Sequence, residues 1–125
     1  MAGGAGIGPI LSLARALDAA GDSRPVALLH CARTADRLVC GEELRAIASR
    51  RGWRIRFMAE EGATGDVLPG MPDREGLARL IEGWPPTEVS AMVCGPGPMT
   101  MAVLRELESL GLPSRHLVYE LFDYA

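Results

Sequence analysis

Apolar positions along this chain recur with two periods that take turns. Ile10, Leu13, Ala14, Leu17 and Ala20 share one helical face, with Pro9 where a helix can begin and Gly21 where it can stop. The run Val26-Ala27-Leu28-Leu29-His30-Cys31 follows Pro25 and is almost continuously apolar, which predicts a strand covered on both faces. Leu44, Ile47 and Ala48 mark a second helix that Gly52 ends. Over residues 53–58, Trp53, Ile55 and Phe57 alternate with Arg54, Arg56 and Met58, so the segment reads as a sheet-edge strand with one arginine-bearing face. Residues 59–73, rich in Gly, Pro and Asp, form the longest irregular stretch. A weaker third helix over residues 74–82 is carried by Leu77, Leu80 and Ile81. The run Val89-Ser90-Ala91-Met92-Val93-Cys94 predicts a buried strand, and Met99, Val103, Leu107 and Leu110 a strong helix closed by Gly111. His116-Leu117-Val118-Tyr119 makes a last strand before Glu120-Leu121-Phe122-Asp123-Tyr124-Ala125.

Strands alternating with helices of this length predict an α/β domain: a doubly wound parallel sheet in a three-layer α/β/α, Rossmann-like arrangement. One element is expected to be missing. A glycine-rich loop in such a sheet follows a strand, yet only Met1 and Ala2 precede Gly3. The first, central strand, which belongs between those near Val26 and Val89, is therefore predicted to be lacking. Residues 1–125 read as one fragment-like domain, with a misplaced start or a strand supplied from elsewhere as the other readings.

Composition narrows the chemistry. With 125 residues, 48% hydrophobic and 23% charged, the chain can bury a real core as one globular domain. A formal charge of -3 argues against nucleic acid as a partner, because phosphates call for a clustered basic face. All 13 basic residues are arginine, so Schiff-base, pyridoxal phosphate and Walker A lysine chemistry are excluded. Cys31, Cys40 and Cys94 form neither a C-x-x-C pair nor a histidine-flanked cluster, so no metal site and no disulfide framework is expected. Free thiols fit a reducing cytoplasm. Arg15, Arg24 and Arg105 interrupt the apolar stretches, so no direct membrane contact is expected from this segment.

Two glycine-rich junctions stand out. Gly3-Gly4-Ala5-Gly6-Ile7-Gly8-Pro9 precedes the first helix, and Cys94-Gly95-Pro96-Gly97-Pro98-Met99 joins a strand to the last one. Backbone N–H groups at such helix starts can cradle a phosphate, with the helix dipole adding positive potential. The first segment also reads as a flexible terminus without a ligand, and the second as a plain turn beside an ordinary buried thiol. Cys94, at the strand end, is a candidate to wall a crevice for a flat ring, and nothing near it in sequence would activate a thiolate. Arg33 follows a strand where a dinucleotide ribose is usually read and could pair with a 2′-phosphate; a surface ion pair with Asp36 is the other reading. Tyr119, Phe122 and Tyr124 make up half of the six aromatics, which favours a docked terminus over a frayed one. His30 and His116 read as structural.

Taken together, these segments resemble the pyridine-nucleotide-binding domain of the ferredoxin–NADP reductase superfamily. Residues 3–9 resemble that family's G-G-x-G-I-T-P pyrophosphate loop, and residues 30–36, leading to Glu42-Glu43-Leu44, resemble its ribose-reading segment. Residues 94–99 match its C-G-P-x-x-M motif, and Glu120-Leu121-Phe122 is similar to its closing E-x-F. The resemblance implies an NAD(P)H-binding module of a flavin-dependent oxidoreductase, inactive alone. FAD or FMN would sit on a barrel domain or partner subunit outside this chain, with electrons passing on to a further acceptor. It implies that Gly3, Gly4, Ala5, Gly6, Ile7, Gly8, Pro9, Arg33, Gly95, Pro96, Gly97 and Met99 bind the nucleotide. Cys94 would border the nicotinamide, with Glu120 and Phe122 near the ring junction. Gly8 stands where the family usually has threonine, and Ala59-Glu60-Glu61 is acidic where NADP-specific members carry arginine. A cytoplasmic location, or the cytoplasmic face of a membrane reductase, follows from the same likeness. The competing expectation is a non-catalytic nucleotide-binding or interaction module.

Overall fold

The computed structural model describes residues 1–122. Strand β1 (Ala2–Gly3) leads into helix α1 (Ile7–Ala19), β2 (Ala27–Thr34), α2 (Gly41–Arg51), β3 (Arg54–Glu61) and β4 (Val67–Pro69). Helix α3 (Arg74–Leu80), β5 (Ala91–Gly95), α4 (Gly97–Ser109) and β6 (Leu117–Leu121) follow. All neighbouring strands run parallel in the order β4-β3-β2-β1-β5-β6.

The expected α/β architecture is present. Alternate residues of the central strands feed two cores: Leu28, Phe57 and Cys94 pack with Ile10, Leu11, Leu44 and Ile47 of α1 and α2. On the opposite face, Leu29, Cys31 and Val93 pack with Leu77 of α3 and Val103, Leu104 and Leu107 of α4. Near-continuous apolar runs in β2 and β5 are thus explained by cover on both faces. The glycines read as helix stops sit just beyond α1, α2 and α4 in the left-handed region, with φ of 64° at Gly21, 69° at Gly52 and 105° at Gly111.

Two expectations are corrected. The central strand is not lacking: a two-residue β1 lies between β2 and β5, with Ala2 in register with both His30 and Cys94. Backbone pairing holds it there. The Met1 amino group donates to the Met92 carbonyl at 2.6 Å, and the Cys94 N–H donates to the Met1 carbonyl at 3.0 Å. Two residues are too few to show an apolar period, so pairing with their neighbours makes them a strand. Nor is β3 an edge strand. Within the stretch read as irregular, β4 pairs with it in parallel, Phe57 opposite Val67 and Ala59 opposite Pro69. Pro69, with no N–H to donate, suits an outermost strand.

Candidate functional site

In a parallel sheet every strand delivers its following loop to the same edge. Between β1 and β5 the chain winds away in opposite directions, with α1 on one face and α4 on the other. That divergence opens a crevice at the carboxyl ends of the two strands, the place where ligands of such folds bind.

Both glycine-rich junctions converge there. Gly6 lies against the Cys94–Gly95 peptide so closely that a Cβ on it would fall on the Cys94 carbonyl and stand 2.9 Å from the Gly95 nitrogen. A Cβ on Gly95 would lie 3.1 Å from the Gly3 carbonyl oxygen and 2.6 Å from the Met99 methyl. Chain segments some ninety residues apart therefore touch backbone to backbone, and only glycine permits it. Gly4 and Gly8 differ: both are exposed, and nothing lies within 4 Å of where a Cβ would project. Gly4 needs its glycine for conformation, with φ of 54°.

Electrostatics single out the same two helices. Neither α1 nor α4 has an acidic residue in its first turn or a side-chain cap at its amino terminus. By contrast, α2 starts with Glu42 and Glu43, and α3 is capped by Asp73, whose carboxylate accepts from the Gly76 N–H at 2.8 Å. The helix starts at the crevice keep their positive potential, while those away from it are offset by their own acidic side chains. A helix start of this kind favours a negatively charged ligand.

The structure also brings Cys94, Glu120 and Phe122 together. Cys94 is in register with Glu120 across β5 and β6, and the Phe122 N–H donates to the Gly95 carbonyl at 3.0 Å. Phe122 packs against the core cluster that contains Cys94. Cys94 itself departs from expectation. It is fully buried among Ala2, Ile7 and the α1 face, and β5 runs one residue further, to Gly95. Burial raises its thiol above the ordinary range, and the Glu120 carboxylate adds to this. Cys94 is thus a buried thiol at the end of β5, with burial favouring its neutral form. Tyr119 is 52% exposed rather than docked, and Tyr124 lies outside the described residues.

At the far end of the crevice, Arg33 near the end of β2 is exposed and forms no ion pair with Asp36 among the described residues. Thr34 beside it is in register with Glu61, so the acidic pair Glu60–Glu61 stands next to Arg33 on the same edge. Met99 is carried by the first turn of α4, and its sulfur and methyl lie against Gly3 and Gly95. Its contact with Gly3 escapes sequence reasoning because the two residues are distant in the chain. No group of histidine, cysteine and carboxylate side chains among the described residues could hold a metal ion.

A doubly wound sheet whose two acid-free helix starts meet at the switch point defines a nucleotide-binding α/β domain. Residues 1–105 match the family described as oxidoreductase NAD-binding domain, and the chain belongs to that family, with relatives among the ferredoxin–NADP and cytochrome b5 reductases. It is 32% identical over 130 residues to NADH-cytochrome b5 reductase 1 of Pyricularia oryzae, a match covering 98% of this chain and 41% of that protein. It is 30% identical to the ferredoxin reductase component of the 3-ketosteroid-9-alpha-monooxygenase of Mycobacterium tuberculosis, over 98% of this chain and 32% of the other. The chain thus spans about a third to two-fifths of these relatives. The fold matches the cytochrome b5 reductase domain of Ulva prolifera nitrate reductase with a TM-score of 0.84 at 22% identity, over 95% of this chain and 46% of that one. It also matches an Amycolatopsis cytochrome P450 reductase with a TM-score of 0.79 at 26% identity, over 97% of this chain and 36% of that one. No helix among the described residues is long and apolar enough to cross a membrane.

Proposed function

We propose that this domain binds NADH or NADPH across the β1–β5 crevice and presents the nicotinamide to a flavin held by a domain or subunit outside residues 1–125. The observation that carries the reading is the contact of the two glycine junctions, each opening a helix with an uncompensated amino terminus. The open space over Gly4 and Gly8 lets a pyrophosphate approach the backbone, so the residues present fit the dinucleotide. When bound, the dinucleotide supplies the hydride. The N–H groups at the start of α1 hold the phosphates, and the residue 95–97 segment bounds the nicotinamide end. Glu120, opposite Cys94 on β5, and Phe122, whose N–H donates to the Gly95 carbonyl, face the flavin domain at that end. The work of this chain is positioning, which shortens the distance and fixes the angle for transfer.

Calorimetric titration with NADH and NADPH tests binding, and stopped-flow bleaching of the flavin on the joined flavin domain tests delivery. Saturable binding with flavin reduction faster than by free nucleotide is expected. Binding without bleaching would leave a nucleotide-binding module and remove the reductase reading.

Coenzyme choice is decided at the end of β2. Arg33 attracts a 2′-phosphate, whereas Glu60 and Glu61 repel it. Glu61→Arg is expected to improve NADPH binding relative to NADH by about tenfold, equivalent to roughly 1.4 kcal/mol. Arg33→Ala should shift the ratio the other way. Paired titrations at one ionic strength measure this, and an unchanged ratio in both variants would place the ribose elsewhere.

A further inference from the structure

Met99 occupies space that two glycines leave open. A Cβ on Gly3 would fall on the Met99 sulfur and lie 2.6 Å from its methyl, and a Cβ on Gly95 would lie 2.6 Å from the same methyl. Gly3 ends β1 and Gly95 ends β5, so one side chain underlies the start of both glycine junctions. Met99 packs against the α4-side core yet remains partly exposed. Met1, Met58, Met71, Met92 and Met101 are partly exposed as well, but none of them supplies an atom nearest to a described glycine's Cβ position.

We propose that Met99 is an oxidative modification site: a hydroperoxide converts its thioether to the sulfoxide, which forces the two glycine junctions apart and releases the dinucleotide. This rests on the nucleotide-binding reading and adds its regulation. In the reaction the O–O bond of the peroxide breaks and an S–O bond forms at Sδ. Sulfur gives up two electrons, and the second peroxide oxygen leaves as water or an alcohol, with no proton gained or lost overall. The product has a polar oxygen where the sulfur met the Gly3 backbone, and the close approach leaves no room for it. A flexible apolar side chain that fills a gap between two loops becomes a polar wedge between them.

The test compares wild type and Met99→Leu, each before and after limited treatment with hydrogen peroxide, with oxidised positions mapped by mass spectrometry. Leucine keeps the apolar volume and cannot be oxidised, while the other methionines and the exposed Cys40 are common to both proteins. Two readouts are taken: NADH affinity by calorimetry and hydrogen exchange of residues 3–8 and 95–99. Oxidation should weaken NADH binding of wild type about tenfold or more and speed exchange in both segments. In Met99→Leu the ratio of treated to untreated values should stay near one for both readouts. The proposal is overturned if Met99 carries the oxygen and neither readout moves, if Met99 stays unoxidised while the other methionines convert, or if the leucine variant loses as much as wild type. Untreated wild type that fails to bind NADH would overturn the nucleotide reading instead, and the exchange data would still decide whether Met99 holds the junctions together.

Discussion

Gly6→Ala is expected to abolish measurable NADH binding and to destabilise the domain, the largest effect of any methyl added to the first glycine segment. The added carbon would occupy the Cys94 carbonyl, which is backbone in a central strand and cannot rotate away. Relief requires moving the start of α1 off β5, which opens the contact that defines the crevice. Overpacking of this kind costs on the order of 1–3 kcal/mol in stability. The effect on binding should exceed that, because the N–H groups that hold the phosphates move with the helix.

Two neighbouring substitutions serve as controls that separate space from conformation. Gly4→Ala meets no atom but keeps φ at 54°, so it should cost roughly 1–2 kcal/mol through backbone strain alone. Gly8→Ala lies in the first turn of α1 with open space around it, and should stabilise the domain by roughly 0.5–1 kcal/mol. Urea unfolding gives the stabilities and calorimetric titration the affinities. If Gly6→Ala is as stable as Gly8→Ala, the two segments do not touch in solution as described.

The order of helices and strands was legible because each element carries its own signal: a helical period on α1 and α4, unbroken apolar runs on β2 and β5, and glycine stops with positive φ. Both junctions could be located for the same reason. Pairing across the sheet could not be read. Ala2 and Gly3 become a strand only through Met92, Cys94 and His30, and Val67 only through Phe57. The direction in which Cys94 points was equally hidden. Successive strand residues face opposite sides, so Val93 goes to the α4 face and Cys94 to the α1 face, and sequence alone does not say which face is open. Gly6 looked like a phosphate-approach glycine for the right helix start. Its tighter constraint comes from a carbonyl far away in the chain.

Stability should fall as pH drops below about 6.5. His30 is fully buried with its ring tilted against Phe57, and burial lowers its pKa from 6.5. The backbones of Ala2 and Val39 lean the other way. The unfolded chain therefore takes up its proton at a higher pH than the folded one. Stability is complete above the unfolded pKa and is lost as pH falls through the interval to the folded value. Cys31 cannot offset the trend: burial pushes its thiol up to about 12, so it stays neutral throughout. Urea unfolding at intervals between pH 8.5 and 5.5 measures the slope, and His30→Leu should flatten it. A wild-type profile no steeper than that of His30→Leu would mean that the His30 imidazole is solvated, and that the core between β2 and Phe57 is open to water.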